Sequence, residues 1–185
     1  MTIFEKKKLE RDKFRKLRDE IFLNQKENVA KNVRLYVDSF VKGYKNIGYI
    51  AIYWPIKNEV DIRSLNKKNS LALPRCKEKK ELLFYPWDEK PLTKDYEGIL
   101  SPKNSYSLSH KQISMIFVPC LSVDKNLTRL GYGGGYFDKL RRDNDWRNVP
   151  CIGVLTSNCV SKIPLTRAEW DIPLSGFITE KEIFV

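Results

Sequence analysis

"MIFVPCLSVDKNLTRLGYGGGYFDKL", residues Met115 to Leu140, holds the pattern on which the fold turns. Its first nine residues are almost continuously apolar, as in a strand covered on both faces at the centre of a parallel sheet. Its end opens a helix that reads on through "YFDKLRRDNDW". Between the two stand Gly131, Gly133, Gly134 and Gly135, four of the nine glycines in the 185-residue chain. Glycine loses more backbone freedom on folding than any other residue, so this density is costly. A single tight turn with a capping aspartate needs fewer. The excess implies a ligand lying against bare backbone.

The flanking sequence extends the same alternation. "NIGYIAIYWPI" (46–56) reads as a buried strand, and "NSLALPRCK" (69–77) and "ELLFYPW" (81–87) as two neighbouring ones. "PCIGVLT" (150–156) is a second central strand, and "DIPLSGFITEKEIFV" closes the chain as a strand and an edge. "KNEVDIRSL" starts a loop and then a helix, and "NKKNS" and "SPKNSYSLSHK" are surface loops. Residues 5–40 read as helical, with Phe14, Leu17 and Ile21 on one apolar stripe. Lys7, Arg11, Arg15 and Arg18 form a basic stripe beside it, at the rim of whatever the apolar stripe packs on. The expected fold is α/β: a single layered domain over 1–185 with a mostly parallel central sheet flanked by helices, Rossmann-like, and a basic N-terminal helix packed on it.

Composition narrows the function. Hydrophobic content of 42 % and aromatic content of 12 % argue against disorder. No secretory leader and no run of about 18 apolar residues is visible, so a soluble cytoplasmic protein is expected. Cys76, Cys120, Cys151 and Cys159 form no C-x-x-C pair, and His110 is the sole histidine, which argues against a zinc clip or a disulfide framework. The net charge of +11 points to a polyanionic partner: nucleic acid, nucleotide or a polyglutamate-like ligand. A solvated basic surface would carry the same charge.

The loop itself matches neither common phosphate motif. A Walker loop needs a Lys–Ser/Thr pair, and a G-x-G-x-x-G fingerprint needs glycine where Tyr136 stands. What remains is R-x-G-x-G-G-G-Y-x-D. Arg129 offers a forked cation to phosphate, the glycines admit a ligand to the backbone, and Tyr132 and Tyr136 can wall or stack on a ring. Asp138 is a hard oxygen ligand suited to Mg²⁺ beside phosphates.

"RLGYGGGYFDK" resembles the signature of the 5-formyltetrahydrofolate cyclo-ligase family, the 5,10-methenyltetrahydrofolate synthetases. "YWPIKNEVD" is similar to the family's tyrosine–proline–glutamate segment, "WDIPLSGFITE" to its C-terminal aspartate segment, and the basic first helix matches in place. The resemblance implies an enzyme that uses ATP and Mg²⁺ to convert 5-formyltetrahydrofolate, polyglutamylated or not, to 5,10-methenyltetrahydrofolate. The formyl oxygen takes the γ-phosphoryl group, the neighbouring nitrogen attacks the activated carbon, and phosphate leaves with ADP as the other product. It implies that Arg129, Leu130, Gly131, Tyr132, Gly133, Gly134, Gly135, Tyr136 and Phe137 form the ATP phosphate loop. Tyr132 to Tyr136 would be shared with the folate. Lys7 and Arg11 would grip phosphates, with Arg11 and Arg15 as the alternative register, because Glu10 stands where the family usually has leucine. Glu59 would bind the pterin beside Trp54, and Asp138 and Asp171 would hold Mg²⁺.

Two departures stand out. Gly134 replaces a lysine of many members, and Phe137 replaces a tyrosine. The lost hydroxyl's role passes to Tyr136 or to water, so Arg129 and Tyr136 are the catalytic candidates. A monomer is expected, without membrane or nucleic-acid partners. The alternative is a non-catalytic nucleotide- or nucleic-acid-binding protein on a similar frame.

Overall fold

The chain begins helical because Thr2 caps it. Its hydroxyl accepts the Glu5 N–H at 3.2 Å while Glu5 accepts the Thr2 N–H at 2.7 Å. The structure, a computed structural model, describes residues 1–20, 23–44, 46–67, 69–88, 90–103 and 106–185. In chain order the helices and strands are α1 (Ile3–Asp19), α2 (Leu23–Gly43), β1 (Tyr49–Ala51), β2 (Leu71–Cys76), β3 (Leu82–Pro86), β4 (Thr93–Lys94), β5 (Leu100–Ser101), β6 (Ile113–Pro119), β7 (Ser122–Asp124), β8 (Arg129–Leu130), α3 (Tyr136–Leu140), α4 (Asn144–Arg147), β9 (Cys151–Val154), β10 (Val160–Ser161), β11 (Gly176–Ile178) and β12 (Ile183–Phe184).

Seven strands form the central sheet in the order β12-β11-β9-β6-β1-β2-β3. The inner pairings are parallel; β2–β3 and β11–β12 are antiparallel. The mostly parallel sheet flanked by helices is the expected α/β fold. Side chains alternate between two cores, as strand geometry requires. Ile50, Leu71, Leu73, Met115, Phe117, Ile152 and Ile178 face α2, which buries Val29, Val33 and Val37 against them. Ala51, Ala72, Ile116, Val118, Cys151 and Phe177 face the other way, toward Phe14 of α1.

Four expectations are corrected. The helix expected over 5–40 is two helices, because α1 and α2 cover opposite faces of the sheet and one straight rod cannot reach both. Ile21 lies outside the described residues; Phe14 is buried and Leu17 packs beside it. "MIFVPCLSV" is not one strand: after Pro119 the chain leaves the main sheet, and β7 joins a small sheet of order β10-β7-β8. "YFDKLRRDNDW" divides into α3 and α4 at Asp143, whose extended backbone and side chain cap the second helix. The helix expected after "KNEVDIRSL" is a single 3₁₀ segment, Arg63–Lys67.

The strand order reverses direction between β1 and β6: β2 lies to one side of the pair, β9 and β11 to the other. Ligands of open α/β sheets bind beyond the carboxyl ends of the strands at such a switch point. The β7–β8 hairpin aims the glycine loop there. Buried Asp124 builds the hairpin: Oδ1 accepts the N–H groups of Asn126 and Thr128, both at 2.9 Å, and Oδ2 accepts that of Leu165 at 2.8 Å. Asp124→Ala would strand these donors at about 1–3 kcal/mol each when buried. We expect a loss of about 3 kcal/mol or more in urea denaturation.

Candidate functional site

A cavity of about 580 Å³ opens at the switch point. The glycine loop forms its floor, from Arg129 to Asp138. The segment after β1, with Tyr53, Trp54 and Glu59, forms one wall. Lys7 and Arg11 reach in from α1, and Asp171 from the segment before β11.

The loop's shape depends on two glycines. Gly133 has φ of 106° and Gly135, the N-cap of α3, has φ of 78°, both in the left-handed region that side chains avoid. Its carbonyls turn toward α1. Arg11 Nε donates to Gly131 O at 3.0 Å, and Arg15 Nη2 to Tyr132 O at 3.4 Å. The Arg18 guanidinium stands 5.5 Å from the Tyr132 ring centre. Arg11, Arg15 and Arg18 of the basic stripe therefore lie on the loop, and Lys7 and Arg11 line the cavity.

Arg129 Nη2 donates to Asp138 Oδ1 at 2.8 Å, Nη1 to Pro119 O at 3.4 Å, and its guanidinium lies 5.5 Å from the Phe137 ring centre. Burial works against the Arg129 charge, but Asp138 outweighs it and the net direction is up. Burial likewise works against the Asp138 charge, and Arg129 outweighs it, holding the carboxyl below its usual range. Lys7 contacts Asp171 Oδ2, which also accepts the Ala168 N–H at 2.7 Å. The Lys7 charge also acts on Asp138, so one ammonium links both metal candidates.

Among the described residues no group of three or more histidine, cysteine or acidic side chains could hold a metal. Two carboxylates lining one cavity still fit Mg²⁺, which takes one or two protein carboxylates and completes its shell with water and phosphate oxygens.

Glu59 lies across the cavity. Its Oε2 accepts the Ile56 N–H at 2.8 Å, and it interacts with the Tyr132 hydroxyl. Burial pushes the Glu59 carboxyl up to about 7, against the opposing pull of the Ile56 N–H, Tyr132 and Arg18. Trp54 lines the same wall, edge-on to Trp87 with ring centres 6.1 Å apart; Arg63 covers one of its faces at 4.3 Å.

Sequence reasoning missed the third wall. The β4–β5 hairpin carries Asp95, Glu97 and Ile99 to the cavity. Asp95 ties the hairpin to the sheet, accepting the Cys76 N–H at 2.8 Å, while Glu97 accepts the Tyr136 hydroxyl. The turn itself, "DYEG" (95–98), was legible; its destination was not. Lys80, from the β2–β3 turn, was also missed. Its Nζ stands 3.7 Å from where a Cβ on Gly135 would lie. Lys79 and Lys80 both hold left-handed backbones, and Lys139 Nζ anchors the turn by donating to Lys79 O at 2.7 Å. All four cysteines are buried and free, and no helix among the described residues is long and apolar enough to cross a membrane.

Known proteins resemble this chain in sequence and fold. Residues 3–180 match the model of the 5-formyltetrahydrofolate cyclo-ligase family. The chain is 26 % identical over 175 residues to the 5-formyltetrahydrofolate cyclo-ligase of Haemophilus influenzae, covering 89 % of this chain and 92 % of that one. It is 27 % identical to the Escherichia coli K12 enzyme of the same name over 106 residues, 56 % of each. The solved Aquifex aeolicus 5,10-methenyltetrahydrofolate synthetase superposes with a TM-score of 0.78 at 28 % identity, over 96 % of this chain and 91 % of that one. The Mycoplasma pneumoniae synthetase shares the fold, with a TM-score of 0.71 at 22 % identity over 94 % and 98 %.

Glu59 makes stability depend on pH. A folded-state value above the ordinary 4.5 means that its contribution is fully present below about 4.5 and lost as pH rises through about 7. Glu59→Gln removes that loss. The variant should gain on wild type between pH 5 and pH 8 by on the order of 2–3 kcal/mol, read from urea midpoints at the two pH values.

Proposed function

This chain belongs to the 5-formyltetrahydrofolate cyclo-ligase family, and we propose that it is an ATP- and Mg²⁺-dependent ligase, acting as one domain, that converts 5-formyltetrahydrofolate to 5,10-methenyltetrahydrofolate with release of ADP and phosphate. The observation that carries this reading is a single cavity lined at once by the glycine loop, the cations of α1, Asp138, Asp171 and Glu59. A pterin and a polyphosphate need opposite surroundings, and this cavity offers both.

The chain's residues do mainly binding and electrostatic work. The glycine loop gives bare backbone to the phosphates. Lys7, Arg11 and Arg129 supply positive charge where the transferred phosphoryl group develops negative charge, which favours the transition state over the ground state. Lys80 adds a cation at the Gly135 end, where Gly134 contributes none. Asp138 and Asp171 would hold Mg²⁺, which would supply positive charge against the phosphates. Forming that site asks Lys7 to release Asp171, and it frees the ammonium for the phosphates.

Glu59, ionised, accepts paired N–H bonds from the pterin ring. Trp54 offers its open face to the same ring. Tyr132 stands between the two ligands. Tyr136, held by Glu97, presents the loop's remaining phenol in place of the one Phe137 lacks. With both ligands fixed, the formyl oxygen meets the γ-phosphoryl group without loss of further rotational freedom. The neighbouring amine nitrogen then closes on the activated carbon as phosphate departs. No side chain is needed as a covalent nucleophile.

Mixing the protein with 5-formyltetrahydrofolate, ATP and Mg²⁺ should raise the absorbance of the methenyl product. A metal chelator should abolish the rise. Arg129→Ala and Asp138→Asn should each lower turnover by at least ~10²-fold, the scale of a lost electrostatic stabiliser. Glu59→Ala should weaken folate binding more than ATP binding. No absorbance rise in a protein that binds ATP would reject the reaction.

A further inference from the structure

Glu59 is set by contacts that reach back to α1. Asn58, directly before it, holds a left-handed backbone with φ of 66°, a conformation that asparagine tolerates at a cost. What keeps it there is Asp19. Asn58 Nδ2 donates to Asp19 Oδ1 at 2.8 Å. The same oxygen accepts Arg18 Nε at 3.2 Å and Nη2 at 3.0 Å. Arg18 is thus fixed by a fork, and its side chain is only 14 % exposed against 49 % for Asp19. Its guanidinium lies 5.5 Å from the Tyr132 ring centre, and Arg18, Tyr132 and Glu59 line one small side cavity in which the Tyr132 side chain interacts with both the guanidinium and the carboxyl.

We propose that Arg18 is a positioning residue for folate recognition: anchored by Asp19, it holds the Tyr132 side chain against Glu59 and so sets the pterin acceptor. The proposal rests on the reading of Glu59 given above. It explains why the basic stripe continues past Lys7 and Arg11, the two members that line the main cavity. Arg18 touches no reacting atom in this scheme; it acts through Tyr132.

The other groups facing Glu59 have different duties. Asp61, on the same segment, is held by Arg63, whose Nη2 donates to it at 2.6 Å. Tyr53, after β1, donates its hydroxyl to Val60 O at 2.7 Å. Lys26, Glu27, Lys31 and Arg34 of α2 line a second cavity with Glu59, and Lys26 also lines the smaller one with Arg18 and Tyr132, but the Tyr132 ring is faced by the Arg18 guanidinium. Arg18 therefore reaches Glu59 through Tyr132, and its charge and that side chain both favour the ionised carboxylate.

The test is binding of 5-formyltetrahydrofolate without ATP, measured by calorimetry from pH 5.5 to pH 9. For wild type, affinity should rise about tenfold per pH unit at the acid end and level off above about 7, where Glu59 is ionised. In Arg18→Gln the levelling point should move up by about half to one unit. Affinity at pH 7 should fall about two- to fivefold, with little loss at pH 9. Arg18→Lys should recover part of the shift, and ATP affinity should change less than twofold in both variants. Tyr132→Phe carries the same expected shift should Arg18→Gln not fold. An unmoved levelling point, equal losses at every pH, or the same shift from Lys26→Gln overturns the proposal alone. Absence of folate binding by wild type overturns it together with the assignment of the substrate.

Discussion

The structure depends on satisfying the carbonyls of a glycine loop that has few side chains to cover them. Arg11 bonds the Gly131 carbonyl and Arg15 the Tyr132 carbonyl, both from the flank of α1. A loop that must stay bare on its ligand side cannot cover itself on the other. The helix supplies that cover, and its guanidinium donors leave no further acceptor to satisfy. The loop gains a fixed shape without losing its open face. The same helix packs Phe14 on the sheet, so the cation stripe and the apolar stripe are two consequences of one docking event.

The site also balances charge locally. Arg129 is paired with Asp138 and Lys7 with Asp171, so cations gathered for phosphate do not repel one another in the empty cavity. Buried ion pairs seldom add much stability, because desolvation offsets their attraction. Here the pairs store groups in charged form within reach of a ligand. Glu59 is the exception. No cation bonds it directly, and burial lifts it toward neutrality, so it is the group in the cavity whose charge is most open to adjustment.

Much of this was legible in the sequence, for identifiable reasons. The central strands are continuous apolar runs, and the two cores fall out of their alternation. The glycine loop could be read because glycine density and an arginine–aspartate frame are local signals. The break between α1 and α2 was not legible: neither proline nor glycine marks it. It is forced by tertiary geometry, since Phe14 and Val29 must lie on opposite faces of one sheet. Asp124 and the β4–β5 hairpin were missed for a related reason. Asp124 looks like any loop aspartate until Leu165 is brought beside it. Glu97 gains its place only when the hairpin folds back onto Tyr136.

The contact between Lys7 and Asp171 joins residues 164 positions apart. During synthesis α1 leaves the ribosome well before the segment that carries Asp171. At 5–20 residues per second the helix waits roughly ten to thirty seconds for that partner. Through most of that interval its basic stripe lacks the glycine loop, and to the end of it Lys7 lacks Asp171. The cavity is therefore completed late, when only β11 and β12 of the sheet are still to follow.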